Sequence, residues 1–196
     1  PIVLVAMNGS PINLAWAKEN AGAIVEAWYP GEVGGLAAAN ILTGRTNPSG
    51  RLPLTFYRSV ADLPPFGDYA MDGRTYRYFT GTPVFPFGHG LSYTRFGYGP
   101  LTVTRARGGA ENGLRVTTRL TNTGDRAGEE VAQLYLNFPD RPGAPRVALR
   151  GFQRVALRPG ESRNVTFDLS PRDLSSVAID GARSVAAGSY RVTVGG

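Results

Sequence analysis

The sequence has no cysteine in its 196 residues, which excludes a disulfide framework and thiolate metal ligation and leaves the chain to rest on its core. Histidine is almost missing as well: His89 is the single one, set between two glycines with no acidic or thiol neighbours spaced for a triad or a metal set. Lys18 is the only lysine, every other basic side chain being arginine, which reads as a compositional bias as much as a functional choice. No apolar run reaches the roughly 18 residues that a membrane-spanning helix needs. No cationic start leads into an apolar h-region either, so nothing in the sequence points to a membrane partner. Pro1 runs straight into a strand-like segment, the start expected of a truncated chain rather than of a natural N-terminus. The compartment stays open between periplasm or secretion and the cytoplasm.

What is present fits a folded, two-domain chain: 42% hydrophobic residues, with 26 glycines and 15 prolines spread throughout. The net charge of +6 and pI near 10.0 are high. The arginines are nevertheless scattered singly and form no basic stripe interleaved with aromatics, so no nucleic-acid partner is expected.

The residues at 2–7 form a continuous apolar run closed by Asn8-Gly-Ser-Pro11, the pattern of a strand buried on both faces in a parallel sheet. Residues 14–20 read as a helix with Trp16 on its apolar side, and residues 23–28 as a second strand ended by Tyr29-Pro-Gly31. From Glu32 to Leu42 the residues Val33, Leu36, Ala37, Asn40 and Ile41 recur at helical spacing, and Gly44 stands where a C-terminal capping glycine belongs. The first part is therefore a βαβα unit of α/β class. A long Pro-, Gly- and aromatic-rich stretch follows to Phe96, expected to be irregular but packed, as a lid or a clasp. Beyond it the texture is all-β: short alternating runs at 114–120, 131–136, 147–157, 163–169 and 189–194, punctuated by Asn122-Thr-Gly-Asp125, Pro159-Gly160 and Ala187-Gly188. The fold class is α/β followed by an immunoglobulin-like β-sandwich, with domains at 1–97 and 98–196.

Four blocks in register carry a resemblance: Trp28-Tyr-Pro-Gly-Glu-Val-Gly-Gly35, Gly44-Arg-Thr-Asn-Pro-Ser-Gly-Arg-Leu-Pro53, Gly73-Arg-Thr-Tyr-Arg-Tyr-Phe79 and Phe85-Pro-Phe-Gly-His-Gly-Leu-Ser-Tyr93. In order and spacing the chain resembles the C-terminal part of a family 3 glycoside hydrolase of the β-xylosidase or β-glucosidase type. Such a chain combines part of the α/β sandwich domain with a fibronectin type III-like domain. The Gly-Arg-Thr-Tyr block, preceded by Asp68-Tyr-Ala-Met71, is closer to the xylosidase-like members. The resemblance implies an exo-acting enzyme that retains anomeric configuration by double displacement. It also implies an aspartate nucleophile in an N-terminal barrel and a glutamate acid/base in the α/β domain, both upstream of Pro1. The chain would then pack against that barrel and the rest of the sandwich domain, act on an oligosaccharide or glycoside, need no cofactor, and be inactive alone. Its tail sandwich is expected to support the α/β half.

No catalytic residue is expected within the chain itself. The candidate substrate-binding residues are Trp28, Tyr29 and Glu32, which fall near the C-terminal edge of the parallel strands, where ligands of open α/β folds gather. The two rings offer flat faces for a pyranose, but residues of this kind also serve as core. Glu32 reads first as a carboxylate at a helix N-terminus. Asp62, Asp68 and Asp72 read as turn caps, His89 as a loop histidine, and Arg74 and Arg77 as loop pins. Gly31, Gly34 and Gly35 lack the Lys-Ser/Thr ending of a phosphate loop, and Asn164-Val-Thr166 is a sequon inside a strand with no assigned function. The rival reading is a stand-alone carbohydrate-binding or structural β-sandwich module. Against it stands the opening βαβα unit, whose two strands cannot bury both faces; limited proteolysis separates the two readings.

Overall fold

The computed structural model describes residues 1–106, 112–178 and 180–196. Contacts divide the chain into two units, Pro1–Tyr93 and Thr94–Gly196. The expected boundary at 97/98 lies four residues further on, because Phe96–Tyr98 is already a strand paired within the second unit.

The first unit runs β1 (Val3–Ala6), α1 (Ala15–Asn20), β2 (Ala23–Glu26), α2 (Gly34–Leu42), with a one-turn helix α3 (Thr75–Tyr78) in the long connector. β1 and β2 pair in parallel, Val3 opposite Ala23 and Ala6 opposite Glu26. Three expectations need correction here. β1 is not buried on both faces: Ala6 is buried but Val3 is exposed, since two strands offer too little cover. Trp16 is 65% exposed instead of inward. At 100° per residue Leu14, Ala17 and Lys18 share one side of α1, and Trp16 lies about opposite to it. The covered positions of α2 are Gly34, Ala38, Asn40 and Ile41, whereas Val33, Leu36 and Ala37 are exposed. A helix that is apolar nearly all round does not reveal its buried side by period, and Gly34 decides it: a Cβ there would sit 2.5 Å from the Pro30 side chain, so only glycine permits this approach. Gly44 caps α2 at φ +73°, its N–H donating to the Ile41 carbonyl at 2.9 Å.

The core of this unit gathers Leu14, Ala17, Phe56 and Val84, with Leu4, Ile24, Trp28, Leu52 and Phe85 packed around it. Its connector is irregular but heavily tied. Phe56 and Phe85 form an antiparallel bridge, Leu52 N–H donates to the His89 carbonyl at 2.8 Å, and Gly88 N–H donates to the Leu52 carbonyl at 2.7 Å. The Asn47 side-chain oxygen accepts from Ser92 Oγ at 2.9 Å and from Tyr93 N–H at 2.7 Å. Tyr76 stacks on Phe87 at 4.1 Å between ring centres. The motif blocks at 44–53, 73–79 and 85–93 are thus one clasp.

The second unit begins with β3 (Phe96–Tyr98) and β4 (Thr102–Arg105), then β5 (Leu114–Asn122), β6 (Gly128–Asn137), β7 (Val147–Leu157) and β8 (Ser162–Leu169). A one-turn helix α4 (Pro171–Leu174), the short pair β9 (Ser176–Val177) and β10 (Arg183–Ser184), and β11 (Arg191–Gly195) complete it. All pairings are antiparallel: β11-β6-β7 make one sheet, and β5 lies between β8 and the edge strands β3 and β4 in the other. In β5 the alternation is clean, with Val116, Thr118, Leu120 and Asn122 inward and Arg115 and Arg119 outward. Val165 and Phe167 of the neighbouring strand β8 join the inward side chains, and Leu134 and Leu136 of β6 close the core from the facing sheet. Each fully buried Leu or Val contributes about 1.5–3 kcal/mol.

Candidate functional site at the sheet edge

Where β1 and β2 end, the chain places Asn8, Gly9, Glu26, Trp28 and Tyr29 together. Ala27 N–H still donates to the Ala6 carbonyl at 2.8 Å, so the strands leave the sheet side by side. Trp28 then takes φ +54°, a left-handed conformation costly for a bulky side chain. This turn, not Tyr29-Pro-Gly31, ends the second strand, which stops at Glu26. Trp28 is half-buried, its ring centre 6.1 Å from that of Phe56. Tyr29 is 82% exposed and lies over Gly9, where a Cβ would sit 2.5 Å from its hydroxyl oxygen and 2.6 Å from its ring edge. Glu32 is exposed in the turn before α2, one residue outside Val33, the residue that flanks the helix start.

Glu26 was not singled out from the sequence. The signal was one acid in the otherwise apolar run 23–28. Its Oε1 accepts from Trp28 N–H at 3.3 Å and its Oε2 from Asn8 Nδ2 at 3.4 Å, and the same amide donates to the Ser10 carbonyl at 2.8 Å. Burial pushes the Glu26 carboxyl above its ordinary value, against the lowering effect of those two donors.

The other sequence candidates lie apart from this edge in role. Asp62 accepts from Arg58 N–H and Ser59 N–H at 3.0 and 3.1 Å, Asp68 from Ala70 N–H at 2.9 Å, and Asp72 from Gly73 N–H at 3.1 Å. Arg74 spans the loop, donating to the carbonyls of Ala70, Pro65 and Asp68. Arg77 lies 5.9 Å from the Tyr78 ring centre. His89 stacks on Phe85 at 5.2 Å. Burial, then the charges of Lys18 and Arg51, hold its imidazole below the ordinary value of 6.5. Among the described residues no three His, Asp or Glu side chains converge as metal ligands, and no helix is long and apolar enough to cross a membrane. An open hollow of about 430 Å³ in the second unit, lined by Arg141, Ser176, Ser184 and Asp180 among others, has one carboxylate and no aromatic face among the described residues. A glycosidase needs two carboxyl groups, so this hollow is no match for that chemistry.

Two predictions arise here. Gly9→Ala will swing the exposed Tyr29 ring off the edge at little cost in stability, shown by an altered tyrosine near-ultraviolet dichroism with the thermal midpoint held within about 2 °C. A depressed histidine pKa means that the unfolded chain binds the proton more readily below the ordinary value. The urea midpoint of the first unit will therefore fall as pH drops from about 7.5 to about 5.5, and His89→Gln will remove that part of the fall.

Residues 1–93 match the family model of the glycosyl hydrolase family 3 C-terminal domain, and residues 130–196 that of the fibronectin type III-like domain. The chain is 42% identical to a xylan 1,4-beta-xylosidase of Xylanibacter ruminicola over 88% of its own length and 20% of that protein's. It is 38% identical to a periplasmic beta-glucosidase of Salmonella typhimurium, covering 86% of this chain and 24% of that one. A solved β-glucosidase from Erythrobacter marinus superposes with a TM-score of 0.83 at 44% identity, over 98% of this chain and 26% of that structure. The chain thus spans about a quarter of the length of such relatives.

Proposed function

Residues 1–93 belong to the C-terminal domain of glycosyl hydrolase family 3, followed by a fibronectin type III-like domain, and from that premise we propose that the chain serves an exo-acting, retaining β-glycosidase. The observation that carries the reading is the succession of both domains in one chain, matched along nearly its full length by β-xylosidases and β-glucosidases. The substrate is a terminal β-xylosyl or β-glucosyl unit of an oligosaccharide. The nucleophile and the acid/base lie in upstream sequence, and this chain supplies the edge at which Trp28, Tyr29 and Glu32 face the sugar. Tyr29 supports that role best, as an exposed ring at the carboxyl ends of parallel strands. The loop aspartates support the upstream location of the chemistry, because each carboxylate is committed to backbone N–H groups of its own turn.

Retention has a direct test in the chain joined to its own upstream sequence. Proton NMR of the first sugar released from a p-nitrophenyl β-D-xyloside or glucoside will show the β anomer before mutarotation. Initial release of the α anomer would contradict double displacement.

A further inference from the structure

A bulky residue held at positive φ persists only where its surroundings over-determine it. At Trp28 those surroundings can be named. The indole packs toward Phe56, and the backbone N–H points at the carboxyl group of Glu26, two residues earlier. The other oxygen of that group receives the side chain of Asn8, from the exit of the neighbouring strand. Asn8 in turn holds the Ser10 carbonyl, on the far side of Gly9, the glycine over which Tyr29 lies. One carboxyl group therefore joins both strand exits to the turn that carries the exposed ring.

We propose that Glu26 is a positioning residue: by clamping the exits of β1 and β2 together it fixes Trp28 in its left-handed turn and Tyr29 over Gly9, so that an aromatic face stands pre-formed for a sugar ring. This rests on the reading of the edge as sugar-facing. Pre-formation matters because a ring already held in place loses less freedom when the ligand arrives. Losing the clamp therefore weakens binding more than it slows bond breaking.

The test uses Glu26→Leu, which keeps bulk and removes both acceptors, and Glu26→Gln, which keeps one carbonyl oxygen for the Trp28 N–H. In the 196-residue chain carrying Trp16→Phe, Trp28 is the sole tryptophan. Its near-ultraviolet dichroic band should persist in Glu26→Gln and lose more than about half its intensity in Glu26→Leu, as an indole freed from a fixed asymmetric site does. A Glu26→Leu band like that of the parent, or a lost band in a folded Glu26→Gln, overturns the proposal. In the chain joined to its upstream sequence, Glu26→Leu should raise KM for p-nitrophenyl β-D-xyloside about five-fold with kcat within about two-fold, and Glu26→Gln should restore KM. If Glu26→Leu does not fold, Glu26→Gln decides: a KM within about two-fold of the parent with the band intact supports the clamp, and a loss of kcat at unchanged KM overturns it. A lost band beside an unchanged KM leaves the clamp standing and removes the sugar-facing reading.

Discussion

Asn122→Ala is expected to destabilise the second unit by about 3–4 kcal/mol, read as a shift in the urea midpoint of the chain. The side chain is fully buried at the end of β5 and uses both ends of its amide. Its oxygen accepts from Thr94 Oγ1 at 2.8 Å and from Gly124 N–H at 3.1 Å, while its nitrogen donates to the carbonyls of Arg126 and Leu157 at 2.7 and 3.1 Å. Removing it strands several of these groups away from water, and the desolvation penalty of stranded groups exceeds the modest net gain of the bonds themselves. The control is Asn164→Ala, the same chemical change on the exposed side of β8, which should stay within about 0.5 kcal/mol. Equal effects at both positions would mean that the buried network is not what holds the β5–β6 turn.

The second large effect is expected at Phe56. Its side chain is fully buried and contacts the small core of Leu14, Ala17 and Val84, and its backbone forms the bridge to Phe85. Truncating such a ring to Ala costs about 3–5 kcal/mol. That is a large share of the whole stability of a small domain, about 5–15 kcal/mol. Phe56→Ala should therefore unfold residues 1–93 while residues 94–196 stay folded, so that limited proteolysis leaves a protected fragment from the second unit. Phe66→Ala, at a side chain 99% exposed, should leave the digestion pattern unchanged. Cooperative loss of both units in Phe56→Ala would show that they do not unfold separately.

Much of the fold was legible because its signals are local. Alternation in β5, β6, β7 and β8 placed the sandwich strands to within three residues at either end, and Gly44 marked the end of α2 by the one backbone conformation it alone adopts cheaply. The failures share a cause as well. Trp16, Val33 and Leu36 were given the wrong side because large apolar residues are visible in a sequence while the direction they face depends on neighbours elsewhere in the chain. β3 was missed because three residues carry too little alternation to register. At the candidate site, the sequence drew attention to rings and to an exposed acid, Trp28, Tyr29 and Glu32. The left-handed turn at Trp28, the acid beneath it at Glu26 and the Asn8 amide appear only once β1 and β2 are paired, because their contact spans 18 residues. Three of the four motif blocks that carried the family resemblance, 44–53, 73–79 and 85–93, fold into a clasp, and Arg74 within them and Asp68 beside them serve that loop.

In our proposal this chain is the supporting and sugar-facing part of a β-glycosidase whose two catalytic carboxylates lie upstream. Hydrolysis of paired chromogenic β-xyloside and β-glucoside substrates tests it most directly, by the 196-residue chain and by the same chain joined to its own upstream sequence. Turnover is expected only in the joined protein, with the faster substrate identifying the sugar. Turnover by the 196 residues alone would contradict it and place the chemistry among Glu26, Glu32 and the loop aspartates.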